Sequence, residues 1–284
     1  MSYFIFNGID SRQFGITSKL ALPPLPERTM KTTEIPGRYE PLNRLDIMRK
    51  NMQITLTISM PDVTKIGEVN AWLQGKGDLI LSDDLTKKYH AYVNMSIMPE
   101  RISRRFGSIP IVFTVEPFRY GVTNPYTSTK MDMDDNTLTG SMEITYNGTC
   151  EGEPLLYFSV SGKLRVTVNG STEPLIITTP GEYTGIYTPS SAADGTSKSI
   201  YYYQYEPQNI YIDVAARMAY IRSSGRNKEI VVNQTSGRYP TFKPGVNTIL
   251  FELVREEWQY NGKTYVSDNQ KLSWFGYQKN ERWY

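Results

Sequence analysis

The segment from Met52 to Met60 alternates strictly between apolar and polar side chains. Because successive side chains of an extended strand point to opposite faces of a sheet, this pattern predicts a strand with one buried and one wet face. Tyr89 to Ile97 and Ile109 to Val115 alternate in a similar way. Pro110 lacks a backbone N–H, which places the latter strand at a sheet edge or a bulge.

Strand-like segments recur throughout the second half of the chain. They are Leu155 to Val160, Leu164 to Val168, Ile210 to Val214, Glu229 to Val232 and Thr248 to Val254. Trp258 to Tyr265 contains Asn261-Gly262 at its centre, which predicts a hairpin around a type I′ turn. The chain is therefore expected to be mainly β, and its second half to form a sandwich or jelly roll.

One helix is expected in the first half. Asp62 follows Pro61 and can cap the helix, and the apolar residues between Val63 and Leu73 fall on one face at helical spacing. Gly75 and Gly77 end the segment. A helix this short depends on packing of its apolar face against a sheet.

Size and charge limit the possible functions. The 284 residues suffice for one large β domain or two ordinary ones. The formal net charge of +2 is too balanced to indicate nucleic acid or an anionic membrane as the main partner. The N-terminal segment lacks a secretion-signal pattern, and no stretch reaches the roughly 18 apolar residues of a spanning helix. Neither export by this route nor membrane insertion is expected.

The strand pattern gives way to a polar, acidic run between Tyr120 and Gly140. Such runs commonly connect domains, so we expect a domain boundary within it. The predicted domains are residues 1–135 and residues 136–284.

Side chains that usually carry catalysis are scarce. His90 is the sole histidine, so one chain cannot form a two-histidine metal site, and no Gly-x-Ser-x-Gly motif accompanies it. Cys150 is the single cysteine, which excludes an intramolecular disulfide, and no basic neighbour in the sequence would activate its thiol. The run from Asp132 to Glu143 approaches a calcium-loop pattern, but Thr137 stands where that loop needs glycine. We expect no enzyme, no cofactor and no metal.

Short motifs follow one another in a characteristic order. In the first half they are Phe4-Ile5-Phe6-Asn7-Gly8, Phe14-Gly15-Ile16, Ile35-Pro36-Gly37-Arg38, Ala71-Trp72-Leu73, Asp78 to Leu81 and Phe113 to Tyr120. In the second half they are Tyr146-Asn147-Gly148, Glu153-Pro154, Ile210 to Asp213 and Tyr239 to Asn247. In this order the motifs resemble the distal tail proteins of long-tailed phages with non-contractile tails. The resemblance spans almost the whole chain, except the stretch around Tyr201 and the segment after Trp258.

The resemblance implies an N-terminal β-sandwich-like domain with one α-helix, followed by a C-terminal galectin-like or carbohydrate-module-like β-sandwich. It also implies a structural role in the virion, in which six copies form a ring at the distal end of the tail. The implied partners are the major tail (tube) protein, a tail-associated lysin or hub protein, and receptor-binding or baseplate proteins. DNA would only pass through the channel, and assembly would take place in the cytoplasm of the bacterial host.

On this hypothesis the first domain supplies the ring contacts. The candidate assembly residues are Phe6, Asn7, Gly8, Pro36, Gly37, Arg38 and Trp72. Pro36 fixes its φ angle and Gly37 permits a tight turn, which predicts a rigid loop near the interface. The same loop could equally serve only to connect two strands.

Two other functions stay open. Tyr201, Tyr203 and Tyr205 could stack on sugar rings, which would make the protein a carbohydrate-binding module for cell-wall glycans; the same tyrosines could instead pack half-buried along a hairpin. A polysaccharide hydrolase would need two carboxylates about 5 to 9.5 Å apart, a separation that a sequence does not specify.

Overall fold

The structure is a computed structural model that describes residues 2–19, 23–33, 36, 42–93, 100–101, 107–191, 197–221, 229–230, 234–260 and 263–284. The chain forms two compact units. One comprises Met1–Thr123 together with Arg282–Tyr284, and the other comprises Asn124–Glu281.

The first unit contains ten consecutive described strands and the last strand of the chain. With strands numbered along the chain, these are β1 (Phe4–Phe6), β2 (Ile9–Asp10), β3 (Thr17–Lys19), β4 (Arg28–Thr33), β5 (Leu42–Arg49), β6 (Met52–Met60), β7 (Gly75–Leu81), β8 (Lys87–Val93), β9 (Glu100–Arg101), β10 (Gly107–Gly121) and β26 (Arg282–Trp283). Among the described residues, nine of them form one antiparallel sheet in the order β2-β1-β7-β8-β10-β6-β3, with β9 and β26 pairing along β10. The other two, β4 and β5, pair with each other as a separate two-stranded sheet.

The inner face of the large sheet carries the core of the first unit. Strand β6 buries every second residue from Met52 to Met60, so the predicted alternation is confirmed. Pro110 lies in β10 opposite Thr57 of β6. In the sheet order β10 lies between β8 and β6, and its register shift lies between Val115 and Arg119, so the prediction of an edge strand or a bulge at Pro110 is wrong. The 15-residue strand pairs with β6 from Gly107 to Val115 and with β8 from Thr114 onward, so it is longer than the segment around Pro110 indicated.

The predicted helix is present in two parts. A 3₁₀ turn spans Val63–Lys65 and leads into α1, Ile66–Trp72. Asp62 caps the 3₁₀ turn, where its Oδ1 accepts a hydrogen bond of 3.0 Å from the backbone N–H of Thr64. Val69, Trp72 and Leu73 are buried against the sheet, so tertiary packing holds this short helix.

The second unit contains fifteen described strands. These are β11 (Thr127–Asp134), β12 (Thr139–Tyr146), β13 (Leu155–Ser161), β14 (Lys163–Val168), β15 (Leu175–Thr178), β16 (Gly181–Ser191), β17 (Ser197–Tyr205), β18 (Gln208–Asp213), β19 (Met218–Ile221), β20 (Glu229–Ile230), β21 (Thr235–Ser236), β22 (Gly245–Leu253), β23 (Glu257–Tyr260), β24 (Lys263–Asp268) and β25 (Lys271–Gln278). Their described pairings give a six-stranded sheet β11-β25-β13-β18-β19-β20, a five-stranded sheet β12-β22-β14-β15-β21 and a four-stranded sheet β16-β17-β24-β23.

The six-stranded and five-stranded sheets enclose the core of the second unit. Phe275 of the first sheet packs against Phe251 of the second, with ring centroids 5.0 Å apart, and against Phe158 at 5.2 Å. All three rings are fully buried. The mainly β class and the sandwich architecture are therefore confirmed.

The unit boundary of the structure lies earlier than the expected domain boundary at residue 135. Strand β11 pairs with β25 and buries Met131 and Met133, while Asp132 and Asp134 point to solvent. Its acidic outer face gave this strand the composition of a linker. The last three residues also differ from expectation, since β26 pairs with β10 in the first unit.

The predicted hairpin from Trp258 to Tyr265 is confirmed. Strands β23 and β24 are antiparallel, with Trp258 opposite Tyr265. The turn residues Asn261 and Gly262 lie outside the described residues, as do the ends of two predicted strands at residues 94–97 and 231–232.

A buried amide fixes one end of the second unit. Asn247 is fully buried, and its Oδ1 accepts hydrogen bonds of 2.8 Å from the backbone N–H of Lys243 and of 2.8 Å from Nδ2 of Asn169. Its Nδ2 donates to the carbonyl oxygens of Lys243 at 2.8 Å and Gly245 at 3.2 Å. One side chain thus satisfies several backbone groups of the turn before β22.

We expect Asn247→Ala to lower the free energy of unfolding by about 2–4 kcal/mol, because buried groups that lose their partner cost about 1–3 kcal/mol each. Urea unfolding followed by tryptophan fluorescence measures the change. Asn136→Ala, which removes an exposed amide, is the matched control. Equal unfolding midpoints for Asn247→Ala and the unsubstituted protein would contradict this account of the turn.

Candidate assembly site

Two candidate assembly residues form an exposed turn at the edge of the first unit. Asn7 and Gly8 connect β1 to β2, and both have positive φ angles, 51° and 78°. This is the type I′ geometry that suits a two-residue hairpin. The backbone N–H of Asn7 donates to the carbonyl of Asp78 at 3.0 Å, so the turn is held against β7.

Phe6 and Trp72, two further candidates, lie beneath this turn in the core. Phe6 is fully buried, and the Trp72 indole N–H donates to the Phe6 carbonyl at 2.9 Å. The Trp72 ring also stacks on Phe4 at 5.5 Å and on Phe14 at 5.0 Å. These two side chains support the turn from inside the unit. That they contribute to assembly by positioning the turn stays a prediction.

The third group of candidates lies between β4 and β5. Pro36 is exposed and sits in a turn. Gly37 and Arg38, with their neighbour Ile35, lie outside the described residues. Because β4 and β5 are antiparallel partners, this loop belongs to the connection of a two-stranded hairpin.

That hairpin forms a separate two-stranded sheet among the described residues of the first unit. We call β4 and β5, with Leu25 just before them, the free ribbon. In the described residues neither strand pairs with a third strand. Leu25 is 80% exposed and Met30 is 57% exposed. Isolated two-stranded hairpins are only marginally stable in water. Apolar side chains exposed to water on this hairpin are also typical of a surface that another protein covers.

The C-terminal residues hold the base of the free ribbon to the sheet. The Arg49 guanidinium lies 4.1 Å from the centroid of the Tyr284 ring and donates through Nη1 to the Pro26 carbonyl at 3.1 Å. The Tyr284 carbonyl accepts from Nη2 of Arg119 at 2.8 Å. Sequence reasoning missed this anchor, because two strand residues are too few to show a period.

A polar cluster occupies the outer face of the same sheet. The Asp78 carboxylate accepts a hydrogen bond from Nζ of Lys88 at 2.8 Å and lies 2.8 Å from Nδ1 of His90. The centroid of the His90 ring lies 4.4 Å from that of Tyr120, so the two rings pack together. Burial raises the pKa of the Asp78 carboxyl, but the hydrogen bonds from Lys88 and His90 outweigh it and leave that pKa lowered.

Within the described ranges, no group of three or more His, Cys, Asp or Glu side chains is placed to hold a metal ion. Asp134 of the calcium-like run accepts hydrogen bonds from the backbone N–H groups of Asn136 and Thr137 at 2.9 and 3.0 Å. No helix in the described part of the chain is both long and apolar enough to cross a membrane.

The candidate glycan-contact tyrosines lie on β17 of the second unit. Tyr205 is buried, and its ring meets Tyr203 edge-on at 5.1 Å. The Tyr203 hydroxyl donates to the Gly181 carbonyl at 2.7 Å, and burial raises the pKa of Tyr205 to about 12. The side chain of Tyr201 lies outside the described residues. Glycan contact at these positions stays a prediction.

The Asp78 cluster gives a test with a defined pH dependence. A carboxyl whose pKa is lowered by folding binds fewer protons in the folded state, so its contribution to stability is full above the unfolded pKa of about 4 and is lost as the pH falls through the lowered value. We therefore expect Asp78→Asn to lower Tm at pH 7, with a difference that shrinks below about pH 4. Thermal melts across a pH series measure this.

Asp83→Asn, at an exposed carboxylate on the following turn, is the control and should show a smaller difference in Tm at pH 7. If Asp78→Asn lowered Tm equally at pH 7 and well below pH 4, the charged hydrogen bonds would not be the source of the effect.

No protein-family model matches the chain, and no curated protein matches its sequence. A solved structure does match: the Dit (gp 19.1) protein of SPP1, described as a paradigm of hub adsorption apparatus in Gram-positive infecting phages. The two chains are 12% identical and superpose with a TM-score of 0.60, and the match covers 99% of each. The chain therefore has the fold of the SPP1 Dit protein over its whole length.

Proposed function

We propose that this protein is a structural component of a phage tail tip, and that six copies associate into a closed ring. The observation that carries the proposal is the fold shared with the SPP1 Dit protein, because it extends over 99% of both chains and so includes both units. A shared fold alone does not transfer function. Surface features of the first unit supply the second line of support.

The free ribbon favours self-association. Its strands lack a third partner among the described residues, and Leu25 and Met30 expose apolar side chains. Packing these groups against a neighbouring copy would remove them from water, at about 1.5–3 kcal/mol per fully buried side chain. Covering the ribbon would also stabilise an element that is marginal by itself.

A ring needs two different, complementary surfaces on each copy. The rotation that relates one copy to the next must also bring the last copy back into contact with the first. The free ribbon, with Pro36, Gly37 and Arg38 in its connecting loop, serves as one surface. The exposed turn of Asn7 and Gly8 serves as part of the other, since β7 and the buried pair of Phe6 and Trp72 hold it rigid. A preformed turn loses little conformational entropy on binding.

The ring would stand at the distal end of the tail. Its partners would be the major tail (tube) protein on one side and, on the other, a tail-associated lysin or hub protein with receptor-binding or baseplate proteins. DNA would pass through the central channel, and the ring would assemble in the cytoplasm of the bacterial host. The role is structural and not enzymatic, in keeping with a sole histidine that packs on Asp78 and Tyr120.

Replacement of the two apolar ribbon side chains tests the proposed interface. We expect the double variant Leu25→Ser, Met30→Ser to shift the protein from hexamer toward monomer, because each interface loses about 2 kcal/mol or more per side chain. Light scattering coupled to size exclusion measures the mass, and a hexamer has six times the 32.5 kDa of one chain.

Leu85→Ser is the matched control, since Leu85 is also an exposed leucine of the first unit, at 49%, but lies outside the ribbon. It should leave the hexamer intact. A double variant that assembles as well as the unsubstituted protein would exclude the ribbon from the interface, and an unsubstituted protein that stays monomeric at high concentration would contradict the ring itself.

A further inference from the structure

The second unit contains a preformed cleft that lies in neither the free ribbon nor the tyrosine stretch. Its volume is about 280 Å³, and two short segments, residues 169–175 and 238–243, form its walls. Val166, Val168 and Leu175, which are buried residues of the sandwich core, also line the cleft but expose little surface to it. The exposed lining of the cleft is therefore mainly polar.

Both walls are held by the same buried amide. Asn247 bonds to the backbone of Lys243 in one wall and to Nδ2 of Asn169 in the other, each at 2.8 Å. Oδ1 of Asn169 also accepts from the backbone N–H of Thr248 at 3.0 Å. A cleft fixed in this way is open without rearrangement, which lowers the entropy cost of binding a ligand.

Four charged side chains line the cleft, two of each sign. Glu151 and Glu173 supply carboxylates, and Arg238 and Lys243 supply cations. Within the described residues, none of these four side chains forms an ion pair. Their charges sum to zero, so the cleft does not favour a polyanion or a polycation. Strong hydrogen-bond donors and acceptors are nevertheless both free.

An aromatic ring and several small polar groups complete the lining. Tyr239 is half-buried, and its hydroxyl lies 3.3 Å from Oγ1 of Thr235, which holds the ring in place. Pro240 adjoins it, and Ser171, Thr172 and Thr241 add hydroxyl groups. The cleft therefore offers Tyr239 and Pro240 for apolar contact, together with groups that donate and accept hydrogen bonds.

We propose that this cleft binds one neutral sugar ring. A pyranose combines an apolar C–H face with a rim of hydroxyl groups that donate and accept hydrogen bonds, and the cleft carries the complementary groups. Its volume lies near the lower end for small-molecule sites, as a single ring requires. The inference goes beyond the structural role proposed above and does not depend on ring assembly.

The test is titration of the full chain with neutral monosaccharides, including glucose, galactose and N-acetylglucosamine, by saturation-transfer NMR and calorimetry. We expect at least one sugar to bind with roughly millimolar affinity, as a ligand of this size allows. Tyr239→Ala and Glu173→Gln should each weaken that binding about tenfold or more, because they remove the ring contact and a charged acceptor.

Tyr126→Ala and Glu143→Gln are the matched controls, since both side chains are exposed in the second unit and neither lines the cleft. They should bind as the unsubstituted protein does. The absence of binding by every neutral sugar tested, equal binding by the cleft variants and the controls, or binding of glycine or inorganic phosphate in place of sugars would each overturn the proposal. Because Glu173 is exposed, its variant is expected to fold even if Tyr239→Ala does not.

Discussion

Each of the three largest sheets of this protein has an apolar face that must be removed from water, and the packing of each unit follows from how that face is covered. In the first unit a helix and the curled sheet cover the alternate residues of β6. In the second unit two sheets cover each other around Phe158, Phe251 and Phe275. The free ribbon differs from these sheets, because among the described residues it pairs with no third strand and exposes Leu25 and Met30. In the proposed function, the free ribbon is the element that would connect the fold to assembly.

Sequence reasoning recovered the features that depend on local periodicity. The strand from Met52 to Met60 was predicted from its alternation, since burial of one face imposes a period of two. The hairpin from Trp258 to Tyr265 was predicted from the Asn261-Gly262 pair at its centre. The helix was also predicted, although Asp62 caps a 3₁₀ turn and not α1 itself. The β11 strand was mistaken for a linker, because its acidic outer face concealed the buried methionines Met131 and Met133.

These local sequence patterns do not indicate contacts between residues that lie far apart in the chain. The Arg49 contact with Tyr284 links residues from opposite ends of the sequence, and no local signal marks either one as a partner. The walls of the cleft in the second unit likewise come from segments far apart in the chain and are joined by Asn247. The assembly candidates were found by motif resemblance, and the structure divides them between an exposed turn, a buried support and a loop of which only Pro36 is described.

Electron microscopy of the purified, unsubstituted protein in negative stain tests the central claim most directly. The account predicts closed rings with sixfold symmetry and a central channel, formed without any other tail protein. Micrographs that show only isolated single copies, recorded from protein held at a concentration well above that needed for imaging, would contradict the predicted ring.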